Sequence, residues 1–127
     1  MKLLAIGVII ILLITACSTY NPSYESVTDD ERAYVEKAIT SLFEGAEAAK
    51  PYLTEEYYNE LTEEGYWDEI KKYELSKLEI SDAYKKDGQL VARCSITYIT
   101  SDSRRSVEKE RVVFFYEREG KFLIGDA

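Results

Sequence analysis

The sequence predicts an α+β domain in which N-terminal helices pack on a curved four-stranded antiparallel sheet. Three observations carry this. Apolar residues recur at helical spacing between residues 28 and 44, behind a capping signature. From Tyr73 onward the apolar period changes from 3.6 to two. Short polar turn signals separate the period-two segments, so neighbouring strands join as hairpins and run antiparallel.

The first helix starts at Thr28-Asp29-Asp30-Glu31, a capping box with Thr28 as N-cap and Glu31 at the third helical position. The acidic first turn complements the helix dipole. Val35, Ala38, Ile39, Leu42 and Phe43 follow as one apolar stripe, and Gly45 ends the segment. Residues 46–72 read as two or three short helical pieces. Pro51 interrupts them, Thr54 caps a piece running through Leu61, and Gly65 breaks the chain before Trp67 to Lys72. Tyr52, Leu53, Tyr57, Leu61, Trp67 and Ile70 supply their apolar contacts.

In the sheet, Leu78 and Ile80 precede Asp87-Gly88, a strong two-residue hairpin signal. Leu90, Ala92, Cys94, Ile96 and Tyr98 face one way on the next strand, with Arg93, Ser95 and Thr97 opposite. Residues 101–105 form a polar turn, Val107 to Glu117 a third strand, and Glu119-Gly120 turns into a last strand from Lys121 to Gly125. A sheet with one apolar face needs a cover, and the striped helix is the only long one available.

The amino terminus differs from the rest. Lys2 is its only charge, Leu3 to Ile14 is unbroken and apolar, and Thr15-Ala16-Cys17 follows. That run falls within the roughly 7–15 residues of a signal-peptide core and short of the ~20 that span a bilayer. Ile14-Thr15-Ala16-Cys17 resembles the lipobox of bacterial lipoproteins, which implies that the Cys17 thiol receives a diacylglyceryl group and becomes the first residue of the mature chain. Each buried acyl methylene contributes about 0.8 kcal/mol, so two or three chains hold a protein on a membrane. The expected organisation is a signal peptide over 1–16, lipidated Cys17 and a tether over 17–27, and one domain over 28–127.

The order of elements behind the lipobox resembles the nuclear-transport-factor-2-like superfamily, the cystatin-like α+β roll, and in particular its small bacterial lipoproteins. The matching residues are Val35, Ala38, Ile39 and Leu42 on the first helix and Pro51-Tyr52-Leu53-Thr54 leading into the second. The strand Leu90 to Tyr98 and the ending Glu119-Gly120-Lys121-Phe122-Leu123-Ile124 also match. Relatives often carry tryptophan at the position of Phe122, a departure. The superfamily contains isomerases and dehydratases alongside members that only bind ligands or proteins, so the resemblance implies a fold and not an activity.

Composition narrows the chemistry. The chain of 127 residues has no histidine and two cysteines, which removes histidine general bases and zinc sites built from three or four Cys/His ligands. A net charge of −8 argues against a nucleic-acid partner. Acid is concentrated in 44–71, where nine carboxylates face Lys50 and Lys71 for a net of −7. Five aromatics fall in the same stretch, so Tyr52, Glu55, Glu56, Tyr57, Tyr58, Glu63, Glu64, Tyr66 and Trp67 form a candidate interaction surface for a basic protein. The competing reading is a solvated helical face with packed rings.

No catalytic, cofactor-binding or metal-binding residue is assigned, and no cofactor is expected. A catalytic reading would need inward tyrosines among Tyr34, Tyr98 and Tyr116 with Asp82 or Asp126 as carboxylate, and no motif fixes them. Cys94 is expected to be buried, and Arg93, Arg104, Arg105 and Arg111 to pair with acids across neighbouring strands. The expected function is therefore a membrane-anchored, extracytoplasmic lipoprotein of the cell membrane or outer membrane, its domain a non-catalytic binding or interaction module at the cell envelope. The alternatives are a small-molecule-binding or enzymatic roll using an internal cavity, and an inhibitor or immunity-type lipoprotein with an acidic docking face.

Overall fold

The computed structural model describes residues 24–127; Cys17, the signal peptide and most of the expected tether lie outside them. In chain order the elements are β1 (Glu25–Ser26), α1 (Asp29–Ser41), α2 (Ala46–Ala49), a 3₁₀ turn (Lys50–Tyr52), α3 (Glu55–Glu63), α4 (Tyr66–Ile70), β2 (Tyr73–Lys86), β3 (Gln89–Thr100), β4 (Ser106–Arg118) and β5 (Lys121–Asp126). The strands form one open antiparallel sheet in the order β1-β2-β3-β4-β5.

The predicted starts and stops are present. The Thr28 hydroxyl accepts from the Glu31 N–H at 3.1 Å while the Glu31 carboxylate accepts from the Thr28 N–H at 3.0 Å, closing the capping box of α1. Thr54 caps α3 by accepting from the Tyr57 N–H at 3.2 Å. Asp87 and Gly88 have φ of 49° and 75°, and Glu119 and Gly120 have 53° and 80°. Both hairpin turns thus have the two left-handed residues that match the twist of their strands.

Among the described residues the sheet has five strands rather than the expected four. The addition comes from the end of the predicted tether, where Glu25 and Ser26 pair with Lys85 and Tyr84. A two-residue strand carries no period, so it leaves no pattern in the sequence. Its anchors are side chains: the Tyr24 ring meets Tyr84 edge-on at 4.9 Å and lies under the Lys86 ammonium. Beyond this pairing β2 is an edge strand, blunted by irregularities between Leu75 and Lys77 and between Ile80 and Asp82.

One face of the sheet, the inner face, carries the core. Val35, Ala38, Ile39 and Leu42 of α1 pack with Ala49, Leu53 and Leu61 against Ile80, Leu90, Ala92, Cys94, Ile96, Val113, Phe115 and Ile124. Among the described residues, every member of this cluster lies between Val35 and Ile124. The N-terminal half of α1 is tied down at several points. The Arg32 guanidinium donates to the Ile80 carbonyl at 3.0 Å and the Tyr34 hydroxyl to the Phe122 carbonyl at 2.6 Å. Lys85 pairs with Glu31 at 3.1 Å, both side chains about three-quarters buried, and with Glu25 at 3.8 Å.

The Thr28 N–H, with help from Lys85, holds the Glu31 carboxyl below its usual 4.5 against a smaller opposing effect of burial. A carboxylate with a lowered folded-state pKa stabilises above its unfolded value and loses that contribution as pH falls through the folded one. Compared with Glu31→Gln, which keeps a neutral acceptor, the unchanged chain is expected to be more stable at pH 7 by up to about 1 kcal/mol. That advantage should shrink below pH 4.5, as read by urea unfolding of residues 18–127 at both ends of the range. An advantage equal at both pH values would assign the role of Glu31 to the neutral hydrogen bond alone.

Candidate functional site

Strand alternation decides which side chains reach the helices. On β4 the odd positions Lys109, Arg111, Val113 and Phe115 share the inner face, and Glu108, Glu110 and Val112 share the outer one. Val113 and Phe115 are buried, whereas Lys109 and Arg111 are exposed. Ile96 and Tyr98 of β3 lie alongside, since Ile96 pairs with Lys109 and Cys94 with Arg111.

The 13 residues of α1 reach roughly 20 Å at ~1.5 Å per residue. The 12 to 14 residues of β2, β3 and β4 span about 40 Å or more at ~3.3 Å per residue. The N-terminal half of α1 is fixed at the Lys85 and Phe122 end, so its C-terminal end stops partway along the inner face. A cavity of about 390 Å³ opens there. Ile39 of α1 and Leu42 and Phe43 just beyond it wall one side, Tyr57, Leu61, Tyr66 and Ile70 of α3 and α4 another, and Tyr73, Ile96, Tyr98, Lys109, Arg111 and Val113 of the sheet the floor, with Ala127 at the rim.

Two depressions elsewhere are no smaller: one of about 450 Å³ over Ala33, Lys37, Thr40 and Tyr52, and one of about 480 Å³ over Lys71, Glu74, Thr100 and Arg104. Their walls are mostly surface residues. Ligand sites combine apolar walls with a few polar groups, at about 300–1,000 Å³. Of these three, the inner-face cavity is the one walled by core side chains, so wall chemistry selects it.

The polar groups of this cavity differ in how committed they are. The Tyr66 hydroxyl donates to the Leu42 carbonyl at 3.0 Å, closing an orphan carbonyl at the end of α1. The Tyr57 hydroxyl has no hydrogen-bond partner among the described residues. Burial pushes the Tyr57 phenol up to about 12, with Asp126, Glu60 and Glu64 adding and Arg111 opposing. Burial also raises Tyr66, again with Arg111 opposing. Both phenols therefore stay protonated at any physiological pH. Cys94, buried beneath, is raised by burial against the same guanidinium.

The nine residues of the predicted interaction surface divide into two groups. Glu55, Glu56, Glu63 and Glu64 are exposed and outside every ion pair among the described residues. The aromatics are half-buried. Tyr57 and Tyr66 turn into the cavity, while Tyr58 meets Trp67 in a tilted contact at 5.9 Å, Tyr66 meets Trp67 edge-on at 5.0 Å, and Tyr52 packs on Tyr34 at 5.6 Å. The Trp67 indole N–H donates to Thr62 at 2.9 Å. These rings join α3 to α4 and both to the core.

The expected arginine ion pairs do not form. Among the described residues Arg93, Arg104, Arg105 and Arg111 take part in no salt bridge. For Arg111 the reason is register: Cys94 lies opposite, and alternation sends the neighbouring Glu108 and Glu110 to the other face. Of the candidate catalytic groups, Tyr98 lines the cavity, Tyr34 is bonded to Phe122, and Asp82 and Asp126 are exposed. Among the described residues no three metal-ligating side chains cluster, and no helix is long and apolar enough to cross a membrane. The sequence reading missed Lys109 and Arg111 as cavity residues, although the alternation Lys-Glu-Arg-Val-Val-Phe that places them was legible.

Comparisons of the chain with protein-family models, with curated proteins and with solved structures return no match.

The different commitments of the two hydroxyls give a test. Tyr66→Phe leaves the Leu42 carbonyl unpaired and is expected to cost about 1 kcal/mol in urea unfolding. Tyr57→Phe breaks no bond within the protein and should stay within about 0.5 kcal/mol of the unchanged chain. Equal costs would show that the Tyr57 hydroxyl is bonded in the folded protein.

Proposed function

We propose that this chain is a lipid-anchored protein of the bacterial cell envelope, tethered through Cys17, whose roll-like domain is a non-catalytic module that binds a small molecule in its inner cavity. The observation that carries the binding element is the cavity itself: about 390 Å³, walled by core side chains, with an uncommitted tyrosine hydroxyl inside and two cations at its edge. Its polar groups favour holding over turnover. A phenol with a pKa of about 12 and a guanidinium do not exchange protons near neutral pH, whereas acid–base catalysis works best with a pKa near the working pH. The lipobox supports the anchor, and the order of helices followed by an antiparallel meander supports the roll.

A second reading, a basic protein docking on the helices, has one observation in its favour: Glu55, Glu56, Glu63 and Glu64 are all exposed and unpaired among the described residues. Reversing these four to lysine would abolish such docking and leave cavity binding of an uncharged probe such as decanol unchanged.

Two experiments test the proposal. Metabolic labelling with an alkyne-bearing palmitate should mark the unchanged protein and not Cys17→Ala, and an unchanged protein that takes no label, or a label that survives Cys17→Ala, would exclude the acyl anchor at Cys17. In methyl NMR of residues 18–127 titrated with decanol, Ile39, Leu61, Ile96 and Val113 should shift while Val91 and Val112 on the outer face stay still. Shifts confined to the outer face, or none, would remove the cavity as the binding element.

A further inference from the structure

Resting on the cavity reading above, we propose that the ligand is a singly headed anionic amphiphile, its carboxylate or phosphate held by Arg111 and Lys109 and its apolar body lodged among Ile39, Leu61, Ile96 and Val113. Four observations lead there. Alternation along β4 sorts charge by sign, with Lys109 and Arg111 on the cavity side and Glu108 and Glu110 on the outer side. Glu108 is engaged outside by the Ser95 hydroxyl at 2.9 Å. Neither cavity cation forms an ion pair among the described residues, whereas Lys71, Lys72, Lys77 and Lys85 do. Beside them, the Tyr57 hydroxyl has no partner among the described residues, which leaves a neutral donor for the same head group.

A guanidinium pairs with carboxylate or phosphate through two parallel N–H bonds, and an apolar wall strengthens that attraction relative to water. The size of the cavity limits the body. About 390 Å³ accommodates a chain of about ten carbons. Surrounding charge limits the head. Segment 44–71 has a net charge of −7, and Glu60, Glu64 and Asp126 act on Tyr57 at the cavity. Repulsion from these acids grows with ligand charge, so one anionic group is accepted and a polyanion is not.

The experiment is calorimetric titration of residues 18–127 with decanoate, decyl phosphate and decanol, each below its micellar concentration. At least one anion should bind roughly tenfold tighter than decanol, the scale of one charge-assisted hydrogen bond, and the tighter of the two identifies the head group. Arg111→Gln should erase that preference while leaving decanol binding intact, Lys109→Gln should reduce it, and Arg104→Gln, outside the cavity, should leave it unchanged. Equal affinities for the anions and decanol, or a preference that survives Arg111→Gln, would overturn the anionic assignment alone. Failure of all three probes to bind would overturn the cavity reading and this inference together.

Discussion

The structure depends on a mismatch of length. A helix rises less than half as far per residue as a strand, so the 13 residues of α1 cover only about half the reach of the strands beneath it. The covered half is a closed core centred on Phe115, Leu90, Ile39 and Val35, all essentially without exposure. Something else must close the other half. The chain uses α3 and α4, which are too short to lay down an aliphatic stripe and rely on large aromatic side chains instead. Rings cover area with few rotatable bonds but do not fill space as interlocking aliphatic chains do. The cavity is the remainder.

Direction matters as much as length. The Glu31–Lys85 pair, the Arg32 bond to Ile80 and the Tyr34 bond to Phe122 all hold the N-terminal half of α1. Just past its other end, the Tyr66 hydroxyl donates to the Leu42 carbonyl. A helix fixed in this way leaves its gap at one defined place, next to the Lys109 and Arg111 row. The same row shows how one periodicity serves two ends: it seats Val113 and Phe115 in the core, and two residues further back it brings cations to the cavity edge.

Much of the fold was legible in the sequence because its signals are local. The capping box, the α1 stripe, Thr54 before α3, and the Asp87-Gly88 and Glu119-Gly120 turns each act within a few residues, and the structure has them all. The fifth strand was not legible, because Glu25 and Ser26 are positioned by Tyr84 and Lys85, some 60 residues away. The site was half legible. Tyr57 and Tyr66 stood out as aromatics in an acidic stretch, yet the sequence does not say that their rings turn inward while Glu55, Glu56, Glu63 and Glu64 turn out. Arg111 was read as a cross-strand ion pair because opposite charges commonly pair between neighbouring strands. Consecutive residues on a strand point to opposite faces, which sends Glu110 away from Arg111, and the pairing residue across the ladder is Cys94.

The most direct test of this arrangement is a crystal structure of residues 18–127 grown with decanoate. The expected result is alkyl density between α3 and β4, against Leu61, Ile96 and Val113, with the carboxylate within hydrogen-bond distance of the Arg111 guanidinium. The contradicting result is α3 and α4 settled onto the strands, with the Tyr57 and Tyr66 rings filling the space beyond the end of α1 and no room left for a ligand.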